Sequence, residues 1–134
     1  MALHLRDKVE SLVGREPVLI DPGDTLRRAA NVMWTQAVGV LVVGQESHPQ
    51  GVISERDVVA KVAQGADPDV VTVREAMTTY VVSVRRGDRL VDAATQMLGD
   101  EIRHVPVLDD RGNVVGMLSV RDVLRPLLLD ALST

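Results

Sequence analysis

Apolar residues recur along this chain with two different periods, and the succession of periods occurs twice. Short β-rich runs, Pro17 to Ile20 and Val81 to Val84, stop at Asp21-Pro22-Gly23-Asp24 and Arg85-Arg86-Gly87-Asp88. Both stops are turn chemistry, and Asp24 and Asp88 are placed to cap a following helix. Leu26, Ala29, Ala30 and Met33, and again Leu90, Ala93, Ala94 and Met97, follow at the three-and-four spacing of one buried helical stripe. The alanines predict close approach to something flat. Trp34, at the edge of that stripe, is expected in the core. Val38 to Val43 and His104 to Leu108 are apolar and β-branched; turns at Glu46 to Gln50 and Asp109 to Asn113 follow, and Gly51-Val52-Ile53 and Val114 to Leu118 return as the second strands of two hairpins. A second helix closes each half. Ahead of each first strand, Leu5, Val9 and Leu12 and their counterparts Val73, Ala76 and Met77 predict a short lead-in helix.

A shift of 64 residues lays the first half on the second. Val18 meets Val82, Gly23-Asp24 meets Gly87-Asp88, Leu26 meets Leu90, Met33 meets Met97 and Val43 meets Val107. After a one-residue slip, Gly51, Ser54 and Arg56-Asp57-Val58 fall on Gly116, Ser119 and Arg121-Asp122-Val123. The chain is a tandem duplication joined at Gly65 to Asp69. The predicted fold class is α+β: two tandem β-α-β-β-α repeats, residues 1–66 and 67–134, packed about a pseudo-twofold axis. One such repeat leaves a sheet face bare, and a pair packed face to face forms one compact module.

Composition narrows the function. A chain of 134 residues, 46% hydrophobic and 25% charged, matches an ordinary globular domain. No apolar run approaches the roughly 18 residues that span a bilayer, and the amino terminus lacks the basic-then-apolar order of a secretion signal, so the cytoplasm is the expected location with no membrane partner. With no cysteine, disulfides, thiol nucleophiles and cysteine zinc sites are excluded. The net charge of −4 and the absence of a basic cluster argue against nucleic acid. Lys8 and Lys61 are the only lysines; the remaining cations are arginines, suited to bidentate contacts with phosphate or carboxylate. Trp34 and Tyr80 are the only aromatic residues, too few for a stacking platform.

Candidate chemistry concentrates where the last strand of each repeat gives way to its last helix, at Gly51-Val52-Ile53-Ser54-Glu55-Arg56-Asp57 and Gly116-Met117-Leu118-Ser119-Val120-Arg121-Asp122. Ser-x-x-Asp ahead of an apolar run is first of all a capping box. The same junction also aims orphan amides and the positive end of a helix dipole out of the sheet, where an anion binds. The hydroxyl can donate to phosphate, and the carboxylate can accept from vicinal ribose hydroxyls. The neighbouring arginine is required by no cap.

With both copies of Gly-x-hydrophobic-Ser-x-Arg-Asp-hydrophobic, the run Asp21-Pro22-Gly23-Asp24-Thr25-Leu26 and the run Arg103-His104-Val105-Pro106-Val107, the chain resembles a stand-alone tandem pair of cystathionine β-synthase (CBS) domains, from about Lys8 to Leu128. The resemblance implies a non-catalytic regulatory module that binds an adenosine-containing ligand, such as AMP, ADP, ATP, NAD or S-adenosylmethionine, in two clefts between the repeats. It implies that Ser54, Arg56 and Asp57 share one cleft with Tyr80, Val82, Arg103 and His104, and that Ser119, Arg121 and Asp122 share the other with Val18, Gly39 and Val40. Because Gly39 and Val40 stand where the second copy has Arg103 and His104, the cleft containing Asp57 is expected to be the better anion site. The resemblance further implies a homodimer formed through helices, acting on a separate effector protein.

Other chemistries are less well supported. His4, His48 and His104 are too scattered for a metal motif, and no cofactor is expected. Ser119, Asp122 and His104 do not make a serine-to-histidine-to-acid chain when the serine is itself a helix cap, so no catalytic residue is expected. The competing reading is a structural module for dimerisation and protein docking, in which the serines and aspartates only cap helices.

Overall fold

The structure, a computed structural model, describes residues 7–11, 16–79 and 82–132. A 3-10 turn, Val9–Ser11, precedes strand β1 (Leu19–Ile20), helix α1 (Leu26–Gln36), strands β2 (Val40–Gln45) and β3 (His48–Ser54) and helix α2 (Glu55–Ala63). A short helix α3 (Val73–Ala76) then leads into β4 (Val84–Arg85), α4 (Leu90–Gly99), β5 (His104–Leu108), β6 (Val114–Ser119) and α5 (Val120–Leu132). The predicted order is thus present twice. Each half holds a three-stranded sheet, β1-β2-β3 or β4-β5-β6, in which the first strand pairs parallel and the third antiparallel to the central one.

The compact units do not follow the boundary of the duplication. Residues 17–79 form one, and residues 82–132 with 7–11 and 16 form the other. The lead-in ahead of each first strand is therefore exchanged. The Val73 amide donates to the Asp24 carbonyl and the Val9 amide to the Asp88 carbonyl, both at 2.7 Å. Leu26 N–H to Val71 C=O (3.0 Å) matches Leu90 N–H to Asp7 C=O (2.8 Å), and Arg74 N–H to Pro22 C=O (2.9 Å) matches Glu10 N–H to Arg86 C=O (3.1 Å). Val73 is fully buried with Ile20, Leu26, Ala29, Leu41 and Ile53, and Val9 with Val84, Leu90, Ala93, Val105 and Leu118. Both lead-ins are shorter than a helix of several turns, and Leu5 and Leu12 lie outside the described residues.

Three local expectations are corrected. Asp24 and Asp88 do not cap the first helices. Thr25, the extended residue immediately before α1, accepts from the Arg28 amide at 3.1 Å, while Arg89 at the equivalent place makes no side-chain cap and Asp88 instead closes its own turn by accepting from the Arg85 amide at 2.8 Å. The helical stripe is also narrower than expected: Leu26, Ala29 and Met33 are buried, but Ala30 is exposed and Trp34 is 86% exposed. Trp34 is turned roughly 80° from Leu26 around the helix, enough to leave the core face. In the first hairpin, β3 begins at His48, so the turn is shorter than Glu46 to Gln50. Gly44, at φ 103°, carries the bulge that re-registers the pair.

Candidate functional site

Strand β3 runs into α2 and β6 into α5 with no intervening residue. At the first junction Ser54 is extended (φ −108°, ψ 166°) and caps α2: the Asp57 amide donates to Ser54 Oγ at 3.2 Å. Ser54 N–H and Oγ–H both donate to Asp57 Oδ2, at 2.9 and 3.1 Å. The second junction repeats the box, with Asp122 N–H to Ser119 Oγ and Ser119 N–H to Asp122 Oδ2, both 3.0 Å. The capping reading of these residues is therefore realised in full.

The boxes leave a residue of chemistry. In each, the first amide of the helix is also spent, Glu55 N–H on the Gly39 carbonyl at 3.0 Å and Val120 N–H on the Arg103 carbonyl at 2.8 Å. Among the described residues, that leaves the Arg56 and Arg121 amides, the Oδ1 atoms of Asp57 and Asp122, and the exposed, unpaired guanidinium groups of Arg56 and Arg121. Fewer amides remain at each junction than a bare helix start would offer. An acceptor, a donor and a cation nonetheless stand within three residues of each other at both.

The other expected residues distribute by register. Val40 stands directly across from Ser54 and His104 directly across from Ser119, so Gly39 and Val40 adjoin the first junction in one unit, and Arg103 and His104 the second junction in the other. Val18 immediately precedes β1 and Val82 lies two residues ahead of β4, the parallel strands that flank β2 and β5. Tyr80 lies outside the described residues. The glycine of the motif has a steric cause that the sequence does not show: Thr78 pairs with Val52, its amide donating to the Val52 carbonyl at 2.8 Å and its carbonyl accepting from the Val52 amide at 3.0 Å. The chain thereby passes over Gly51, where a side chain would meet the Thr78 carbonyl. Among the described residues, no group of three or more histidines or carboxylates is placed to hold a metal ion, and no helix is long and apolar enough to cross a membrane.

The sequence model of the CBS domain matches residues 9–64 and again 73–129, the two stretches whose junctions carry the serine, arginine and aspartate. This chain belongs to the CBS domain family. A protein of Methanopyrus kandleri is 32% identical over 119 residues, covering 87% of this CBS pair and 61% of that protein, and one of Acidianus ambivalens is 34% identical over 122 residues, covering 90% and 73%. The chain thus spans under two thirds of the first relative. Among solved structures, a CBS domain protein of Pyrobaculum aerophilum complexed with AMP superposes with a TM-score of 0.84 at 31% identity, covering 96% of this chain and all of that one. A CBS-domain protein of Agrobacterium tumefaciens gives 0.81 at 31% identity, covering 89% and 98%.

Proposed function

We propose that this CBS pair is a non-catalytic regulatory module that binds an adenosine-containing ligand at its strand-to-helix junctions and signals to a separate effector protein in the cytoplasm. Each junction keeps one aspartate oxygen outside its capping box, beside an unpaired amide and an arginine that no cap requires. Asp57 Oδ1 and Asp122 Oδ1 are the acceptors for ribose hydroxyls, and Arg56 and Arg121, with their own amides, are the donors for phosphate. The AMP complex of the Pyrobaculum protein supports the ligand class; AMP, ADP, ATP, NAD and S-adenosylmethionine share the adenosine whose ribose the aspartates would meet, and all but the last carry phosphate for the arginines. The family resemblance groups Arg103, His104, Tyr80 and Val82 with Asp57, and Val18, Gly39 and Val40 with Asp122, which makes the first group the stronger anion binder.

Titration calorimetry with AMP tests both parts. Asp57→Asn keeps an acceptor for the cap while removing the charge, and it is expected to weaken AMP binding more than Asp122→Asn does; equal losses refute the ranking. In a thermal-shift panel, a nucleotide at 100 times its dissociation constant adds about 2.7 kcal/mol of stability. A flat response to every nucleotide favours the structural reading.

A specific observation supports homodimer formation as well. Trp34 on α1 and Val59 and Val62 on α2 are exposed, and so are Leu98 on α4 and Leu124 and Leu128 on α5. Trp34 and Leu98 occupy equivalent positions of the repeat, as do Val59 and Leu124. The same helix pair is thus left apolar on its outer side in both halves, the pattern that a self-complementary contact between two copies requires.

A further inference from the structure

The helices that carry Trp34 and Leu98 are oppositely charged. α1 holds Arg27 and Arg28 and no acid, whereas α4 and the two residues after it hold Asp92, Asp100 and Glu101 and no cation. α2 and α5 each hold two residues of either sign and favour no pairing.

Both sets of charge stand where their own helices favour them least. Arg27 and Arg28 lie in the first turn of α1, at the positive end of its dipole, and Asp100 and Glu101 follow the last turn of α4, at the negative end. Arg27 is paired with Asp69, and Asp92 with Arg89 at 3.5 Å. Among the described residues, Arg28, Asp100 and Glu101 are exposed and have no ion-pair partner. Charges that cost their own helix and meet no partner within the chain are suited to one outside it.

Shape sets the register. One turn before Trp34 is the exposed Ala30, and one turn before Leu98 is the half-buried Ala94. An antiparallel seating of α1 on α4 of a second copy sets Trp34 over Ala94 and Leu98 over Ala30, large on small, and brings Arg28 to Asp100 and Glu101. Like on like keeps the same apolar fit with a different charge outcome. α1 on α1 sets Arg28 beside the neutral Gln36, and α4 on α4 sets Asp92 beside Asp100, which repel.

Resting on the proposed self-association, we propose that the surface around Trp34 docks on the surface around Leu98 of a second copy, α1 of one against α4 of the other. A closed dimer makes this contact twice. Charge selects it over pairings that bury similar apolar area.

Sedimentation equilibrium of the full chain tests the proposal through four dimer dissociation constants: wild type, Arg28→Glu, Asp100→Arg with Glu101→Arg, and all three substitutions together. Each reversal suits its own helix dipole and preserves the fold, which circular dichroism checks. Either reversal alone is expected to weaken the dimer roughly tenfold, the scale of two surface ion pairs turned repulsive, and the combined variant to regain about wild-type affinity. Like-on-like pairing predicts otherwise: Arg28→Glu changes nothing, and reversing Asp100 and Glu101 relieves the clash with Asp92 and tightens the dimer. Either of those results, or a combined variant no tighter than the single reversals, overturns the proposal while leaving self-association intact. A wild type that stays monomeric overturns self-association and this proposal together. Where a reversal does not fold, salt supplies the test on the wild type: added sodium chloride screens the attraction and raises the dissociation constant, and a constant that falls or stays the same overturns the proposal.

Discussion

Gly51 lies so close to Thr78 that a methyl group on its α-carbon would stand 2.5 Å from the Thr78 carbonyl oxygen. The contact is to backbone held on both sides by the hydrogen bonds between Val52 and Thr78, so it cannot be relieved by a rotamer change. Gly51→Ala is expected to cost about 1–3 kcal/mol, the scale of overpacking in a tight interior, and to push the segment beyond Thr78 off the outer edge of β3. Gly87→Ala, where an added methyl meets nothing within 4 Å, is the control and should stay within about 0.5 kcal/mol of wild type. Urea unfolding of the two variants reads the contrast; equal stabilities would show that the glycine is not a steric requirement.

The exchanged lead-in gives a second prediction. Val9 is fully buried in the core around Leu90, Val105 and Leu118, although more than 70 residues of sequence separate it from them. Val9→Ala removes two methyl groups and leaves a cavity, for an expected loss of about 2–3 kcal/mol. The location of the damage is the sharper readout. Hydrogen exchange should quicken in β5, β6 and α4, and a loss confined to residues 17–79 would contradict the exchange.

Much of this was legible in the sequence because duplication supplies its own control. A residue type kept at both copies of a position, such as Leu26 with Leu90 or Ser54 with Ser119, marks a shared structural demand, and periodicity then assigns strands and helices. The exchange of lead-ins was not legible, since Val9 and Val73 carry the same pattern whichever core receives them. The caps lie one residue later than Asp24 and Asp88 suggest: Asp88 closes its own turn, Asp21 rather than Asp24 accepts within the first turn, and Thr25 is the extended residue that caps α1. Trp34 was misjudged because an 11-residue helix over a small sheet buries only a narrow stripe. Of the candidate site, the residue types were readable but not the division of labour, in which one carboxylate oxygen caps the helix and the other is left over.

The hairpin turn after β5 should carry part of the acid sensitivity. Hydrogen bonds from the Asn113 backbone, and then from the Arg111 backbone and the Asn113 side chain, hold the Asp109 carboxyl below its ordinary range, with Arg86 adding a weaker pull. A carboxyl with a lowered folded-state pKa stabilises the fold fully above the unfolded value and loses that contribution as pH falls through the folded one. Asp109→Asn is therefore expected to be less stable than wild type near neutrality and to show a shallower decline below about pH 4, the ordinary carboxylate range. Parallel pH profiles of the urea midpoint for the two proteins would rule the turn out as a contributor.

Trp34 is the only tryptophan and is 86% exposed, which makes the proposed association directly observable. If two copies meet through the apolar outer sides of their helices, its emission should shift to the blue as protein concentration rises, in step with a doubling of mass by light scattering. Charge placed in such a contact opposes burial strongly, because an unpaired carboxylate must be desolvated. Trp34→Glu combined with Leu98→Glu is expected to give a monomer that remains folded, since both side chains lie outside the cores and Leu98 is 74% exposed. A wild-type monomer mass at micromolar concentration, with red-shifted emission throughout, would leave these leucines and valines as ordinary surface residues and remove the argument for self-association.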